Sequence, residues 1–99
     1  MEIEQAKTRA DNQQYRIYDD RYGGLVISST ILRPNQSTKG HRHPQEEHYL
    51  FVYGRGILEI DDVKRPVDCG YTITIKGNAF HRVHNLFDLP LIFICAWRE

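Results

Sequence analysis

HRHPQEEHYLFVYG, running from His41 to Gly54, sets two imidazoles two residues apart, then a carboxylate at Glu47 and an aromatic run that ends on glycine. On a β-strand, side chains alternate with period two, so positions i, i+2 and i+6 share a face. Read as one strand, the stretch points His41, His43 and Glu47 the same way, with Tyr49, Phe51 and Tyr53 behind them. His48, Leu50 and Val52 fall on the other face. Because that face is also largely apolar, the strand is expected to be covered on both sides. Two imidazoles and a carboxylate on one face suggest a metal site that draws its last ligand from elsewhere in the chain.

Outward from this stretch the chain is rich in β signals. YRIYDD, beginning at Tyr15, is followed by a break at Gly23-Gly24 and the β-branched run LVISSTIL. Pro34-Asn35 ends that run, and Asn is one of the few residues that tolerates the left-handed region of a tight turn. GILEI, TITI, HRVHN and LIFICAW read as further strands. VKRPVDCG reads as a connection through Pro66. LIFICAW is apolar enough to lie centrally in a sheet. No segment of ten residues or more has helical periodicity, and turn signals recur about every ten residues, so the fold class is all-β, a sandwich or barrel.

The 99 residues make one small domain, taken as residues 15–99 with a polar arm at 1–14 that is loose or strand-exchanged. A domain of this size gains core by pairing with a second copy, and the outer face of residues 48–52 is the expected contact, hence a homodimer. The formal net charge is zero, which argues against nucleic acid and anionic membranes as partners. The segment MEIEQAKTRADNQQ has no apolar h-region, and the apolar run from Leu89 to Trp97 is too short to cross a bilayer, so the expected address is cytoplasmic. Cys69 and Cys95 are accordingly expected to be buried and reduced.

His81 is the candidate for the missing ligand. It opens HRVHN, where alternation puts His81, Val83 and Asn85 on one face and Arg82 and His84 on the other. Three neutral imidazoles and one carboxylate leave a divalent ion with about one net positive charge, and an octahedral ion would keep about two positions open. His48 and His84 fail the parity test and are expected to be exposed or at an interface. The pocket-lining candidates are Tyr49, Phe51, Tyr53, Phe80 and Asn85.

The spacing His41-x-His43-x3-Glu47-x6-Gly54 resembles the first motif of the cupin superfamily, and Gly70-x10-His81-x3-Asn85 resembles the second. The motifs occupy about residues 35–54 and 70–85, and the resemblance covers roughly residues 25–97, as in small single-domain cupins of the cupin_2 type. Asn35 and Asn78 stand where the pattern has glycine, and Lys76 stands where it has proline. The resemblance implies a small jelly-roll β-barrel, the double-stranded β-helix. It also implies one divalent transition metal (Mn, Fe, Ni, Zn or Co) on His41, His43, Glu47 and His81, with Asn85 structural. Three functions are compatible with it: a sugar or sugar-phosphate isomerase or epimerase, a metal-dependent dioxygenase or oxidoreductase acting on a small enol, thiol or diol, and a non-catalytic small-molecule-binding cupin. AFHRVHNLFDLPLIFICAW is similar to the C-terminal part of cupin-type glucose-6-phosphate isomerases.

Overall fold

The computed structural model describes residues 7–99. Nine strands succeed one another: β1 (Lys7–Asp11), β2 (Tyr15–Tyr22), β3 (Leu25–Leu32), β4 (Glu47–Tyr53), β5 (Arg55–Ile60), β6 (Val63–Asp68), β7 (Thr72–Ile75), β8 (His81–His84) and β9 (Leu91–Arg98). They form a six-stranded sheet ordered β1-β2-β3-β9-β4-β7 and a three-stranded sheet ordered β6-β5-β8. The described residues contain no helix, and so none long and apolar enough to cross a membrane. LIFICAW is central as expected, lying between β3 and β4.

The sheets face each other across a core of Leu32, Phe51, Leu58, Val67, Ile75, Val83, Leu91 and Phe93. The alternation in β3 shows how sequence specifies this: Val26, Ser28, Thr30 and Leu32 are buried, while Leu25, Ile27, Ser29 and Ile31 are only partly covered. Asn85 is fully buried. Its side-chain amide donates to the carbonyls of Leu89 (2.8 Å), Leu32 (3.2 Å) and Arg33 (3.3 Å), and its Oδ1 accepts from the Phe87 amide. It ties the surrounding loops together and is not among the residues that line the cavity beside His41, His43, Glu47 and His81.

Several local expectations are corrected. The N-terminal segment is not wholly loose: β1 pairs with β2 of the same chain, while residues 1–6 lie outside the described residues. VKRPVDCG contains a strand, β6. It tolerates Pro66 because it lies at a sheet edge, where the missing N–H costs no ladder bond. β4 begins only at Glu47, and within the single chain Leu50 and Val52 on its outer face are exposed, which leaves the expected contact with a second copy open. Tyr53 also leaves the inner face. A bulge between Phe51 and Tyr53 pairs Phe51 with Phe93 but Tyr53 with Ile92, which turns the Tyr53 side chain outward to 49% exposure.

Asn35 and Asn78 adopt φ of 59° and 66°, the left-handed conformation a glycine would supply. Gly54 also has positive φ, 83°, and a Cβ there would strike the Pro90 carbonyl. Gly70, at φ 93°, has open space around it. Gly70→Ala should therefore cost about 1 kcal/mol of backbone strain, and Gly54→Ala about 2–4 kcal/mol once the clash is added, in urea unfolding. Equal costs would remove the steric part of this account.

Candidate metal centre

His41 and His43 do not lie on the strand that carries Glu47. Residues 42–46 form a loop, and His41 belongs to an isolated antiparallel bridge with His81 on the opposite sheet. Backbone hydrogen bonds run both ways across that bridge, 3.3 Å from the His41 amide and 3.1 Å from the His81 amide. The shared face expected from strand parity is thus produced by a bridge and a loop. The Asn78 amide donates to the His43 carbonyl (2.7 Å), and Gly77 lies so close to the Pro44 carbonyl that a Cβ would collide with it. Gly77 and the left-handed Asn78 therefore form a turn fitted to the ligand loop.

One ligand atom from each of His41, His43, Glu47 and His81 lies within 4.8 Å of the other three. Ring centroids are separated by 5.0 Å (His41–His43), 4.4 Å (His41–His81) and 5.1 Å (His43–His81). Glu47 Oε1 lies against His43 Nε2, 3.6 Å from His81 Nε2 and 4.0 Å from His41 Nε2. Glu47 and His81 are buried, His43 is partly covered and His41 faces solvent. His81 Nδ1 is 3.0 Å from the Ala79 carbonyl, which fixes the proton on Nδ1 and turns the Nε2 lone pair toward the cluster. His81 Nε2 and both ring nitrogens of His43 are buried without a hydrogen-bond partner. Buried polar atoms left this way are costly unless something else occupies the site. A divalent cation fits: three imidazole nitrogens and one carboxylate oxygen suit the transition metals from Mn to Zn.

The cluster forms one wall of a cavity of about 510 Å³. Tyr49, Ser28, Thr30, Cys95, Trp97 and Arg9 also line it. Of the other pocket candidates, Phe51 is fully buried beneath this space, against Phe93 at 5.3 Å. Phe80 lies outside the cavity, its ring against Gly40 and within 5.9 Å of the Arg42 and Arg82 guanidinium carbons. His48 is exposed and bonded to Thr74 (2.9 Å). His84 is not exposed: its Nε2–H donates to Glu59 (2.8 Å) and its Nδ1 meets Ser37 Oγ (2.7 Å), away from the cavity. Sequence reading missed Ser28, Cys95 and Arg9. The phase of alternation in LVISSTIL and LIFICAW could have found the first two, because the inward positions include small or polar residues.

Burial pushes Glu47 up, but the imidazoles of His41, His81 and His43 gathered around it outweigh that, holding the carboxyl far below its usual range. Burial lowers His81, and the nearby Glu47 carboxylate and the Ala79 carbonyl raise it by more. Burial pushes Tyr49 and Cys95 well up, and nearby Glu47 adds to both, so each keeps its proton at neutral pH. Both cysteines are free, but Cys69 is exposed, contrary to the expectation from sequence.

The chain belongs to the cupin family: residues 29–97 match the Cupin_2 model, the cupin domain. It is 31% identical over 71 residues to an uncharacterized protein of Methanocaldococcus jannaschii, covering 71% of this chain and 57% of that one. It is 33% identical over 57 residues to a dimethylsulfoniopropionate lyase of Ruegeria pomeroyi, covering 58% of this chain and 38% of the lyase. It thus spans about half the length of these curated relatives or less. A cupin 2 conserved barrel domain protein from Salinispora arenicola superposes with a TM-score of 0.83 at 23% identity, over 100% of this chain and 89% of the other. The fold is the all-β double-stranded β-helix, or jelly roll.

Two outcomes are expected. Without metal, the raised His81 stabilises the fold fully below its unfolded pKa of about 6.5 and progressively less as pH rises through its folded value. Glu47, depressed, contributes above its unfolded value of about 4.3 and loses that only as pH falls. Metal needs neutral imidazoles, so the rise in melting temperature on adding a divalent ion should grow from pH 6 to pH 8 and vanish in His81→Ala. A pH-independent rise would contradict this ligand set. Iodoacetamide should label Cys69 alone in the native protein and Cys95 only after unfolding, read by mass spectrometry.

Proposed function

We propose that this cupin is a divalent-metal-dependent enzyme acting on a small molecule that presents paired oxygens to the metal. The observation that carries this reading is the convergence of His41, His43, Glu47 and His81 on the wall of a cavity open at one end, with a protonated Tyr49 beside Glu47. Glu47 sets the charge of the centre: with three neutral imidazoles it leaves a divalent ion about one positive charge to offer to a carboxylate, carbonyl or hydroxyl oxygen. When bound, the ion supplies Lewis-acid polarisation of such an oxygen. His41, the most exposed ligand, stands where a substrate would enter.

Tyr49 is the group that can hold a proton at a substrate oxygen. Its ring stacks on Phe93 at 5.6 Å, which fixes where the hydroxyl can point. This supports proton-moving chemistry of the isomerase, epimerase or lyase type, on a hydroxylated or carboxylate-bearing substrate. The Ruegeria relative, a dimethylsulfoniopropionate lyase, belongs by its name to the same class. A second reading, oxidation of a small enol, thiol or diol, has its own support. Glu47 is the sole carboxylate among the cavity-lining residues and belongs to the ligand set, so no separate carboxylate base faces the substrate.

The experiment uses metal-loaded protein with a panel of hydroxy acids, sugars, sugar phosphates, enols and thiols. Under anaerobic conditions, exchange of a substrate C–H with solvent deuterium is expected. Tyr49→Phe should slow it by about a hundredfold or more with metal content unchanged. Oxygen uptake without anaerobic exchange would select the oxidative reading, and neither signal across the panel would leave a binding module.

A further inference from the structure

Arg9 reaches the cavity because of an irregularity in the edge strand. In the β1–β2 ladder Thr8 pairs with Tyr18 and Ala10 pairs with Ile17, so Arg9 is the extra residue of a β-bulge. A bulge re-aims one side chain, and here it turns Arg9 inward from an otherwise polar, exposed strand. The side chain is held at three points. Nε donates to Asp19 Oδ2 at 2.8 Å, Nη2 donates to Ser28 Oγ at 3.1 Å, and the guanidinium carbon lies 5.9 Å from the Trp97 ring centre. Asp19 is 95% buried to do this, and its Oδ1 has no partner at all. A buried carboxylate committed to one arginine is a costly way to fasten an edge strand, and an effective way to orient a fork.

Cross-strand register ties this group to the metal centre. Asp19 pairs with Ser28, Ser28 with Cys95, and Cys95 with Tyr49, in one row across the inner face. Tyr49 is two residues from Glu47 on β4. From Ser28, where the guanidinium sits, to Tyr49 is two inter-strand gaps, about 10 Å of backbone. A separation of that order, between two sites on one cavity wall, suits the two ends of a short carbon chain. The side chains between are small: a hydroxyl at Ser28 and a thiol at Cys95. Lys39 lines the same cavity and has no acidic partner among the described residues, so the space is cationic at more than one point.

We propose that Arg9 is the distal anchor of the site, so that the substrate class is a small dianion or hydroxy acid whose far carboxylate meets the Arg9 fork while its near oxygens meet the metal. This deepens the metal-dependent reading above and rests on it. Asp19 and Ser28 occupy one edge of the fork, and the other N–H donors of this cavity-lining residue have no protein partner among the described residues. The Trp97 ring, 5.9 Å from the guanidinium carbon, flanks one side of the half-exposed fork.

The test is calorimetric titration of the cobalt-loaded protein with succinate and with acetate. Acetate can occupy only one end at a time, whereas succinate can span both. The unsubstituted protein should bind succinate about tenfold or more tightly than acetate. Arg9→Gln should bring that preference to within about twofold of unity. Arg9→Lys keeps the charge without the fork and should fall between the two. Thermal melting is followed for each variant. If Arg9→Gln does not fold, Arg9→Lys carries the test, and a preference equal to that of the unsubstituted protein overturns the proposal. So does a preference that survives in Arg9→Gln, or one that is absent to begin with. Failure of the metal reading has a different signature, namely acetate binding that is the same with and without cobalt.

Discussion

A carboxylate buried between two sheets is the constraint on which the rest depends. Glu47 is 6% exposed, on the inner face of a strand whose neighbours are Tyr49 and Phe51. An ionised carboxyl in such a place is tolerable only where cations or strong donors surround it. Three imidazoles do so, and they come from three different backbone settings: a bridge, a loop and the first residue of β8. Holding them together requires the sheets to meet at that level. The His41–His81 bridge, the bond from the Thr38 amide to the Val83 carbonyl, and the turn through Asn78 all serve that meeting.

The same inner face explains why a cavity exists where a small barrel would ordinarily pack solid. Rows across the large sheet differ in bulk. One row runs Ile17–Thr30–Phe93–Phe51 and supplies aromatic packing. The next runs Asp19–Ser28–Cys95–Tyr49, polar and narrow at its centre. Beyond the first row, Leu32 and Leu91 pair and close the far end. Space therefore opens only at the level of the ligands, between a filled end and an open rim.

Much of this was legible from residues. The alternation in LVISSTIL and the apolar LIFICAW placed two central strands, and the spacing of His41, His43, Glu47 and His81 named the cluster. The reasoning behind the cluster was partly wrong, because strand parity does not apply to a segment that is a loop until Glu47. Convergence there depends on pairing with β8, a long-range event that local periodicity cannot register. Tyr53 failed for a similar reason, since one inserted residue at Val52 inverts every side chain that follows. Asn35 and Asn78 were departures from pattern in sequence, yet their backbone angles match what glycine would give. Arg9 was invisible, because a bulge in a polar segment leaves no trace in composition.

The bridge between His41 and His81 has a consequence for the order of events as the chain folds. Each side of the ligand set belongs to a different sheet, so no half of the molecule assembles the site alone. Interactions completed last are absent from the transition state and act on the rate of unfolding, leaving the rate of folding almost untouched. An ion held across that seam would be a latch thrown after closure. The lifetime of the native chain, rather than its speed of formation, would then follow the supply of metal.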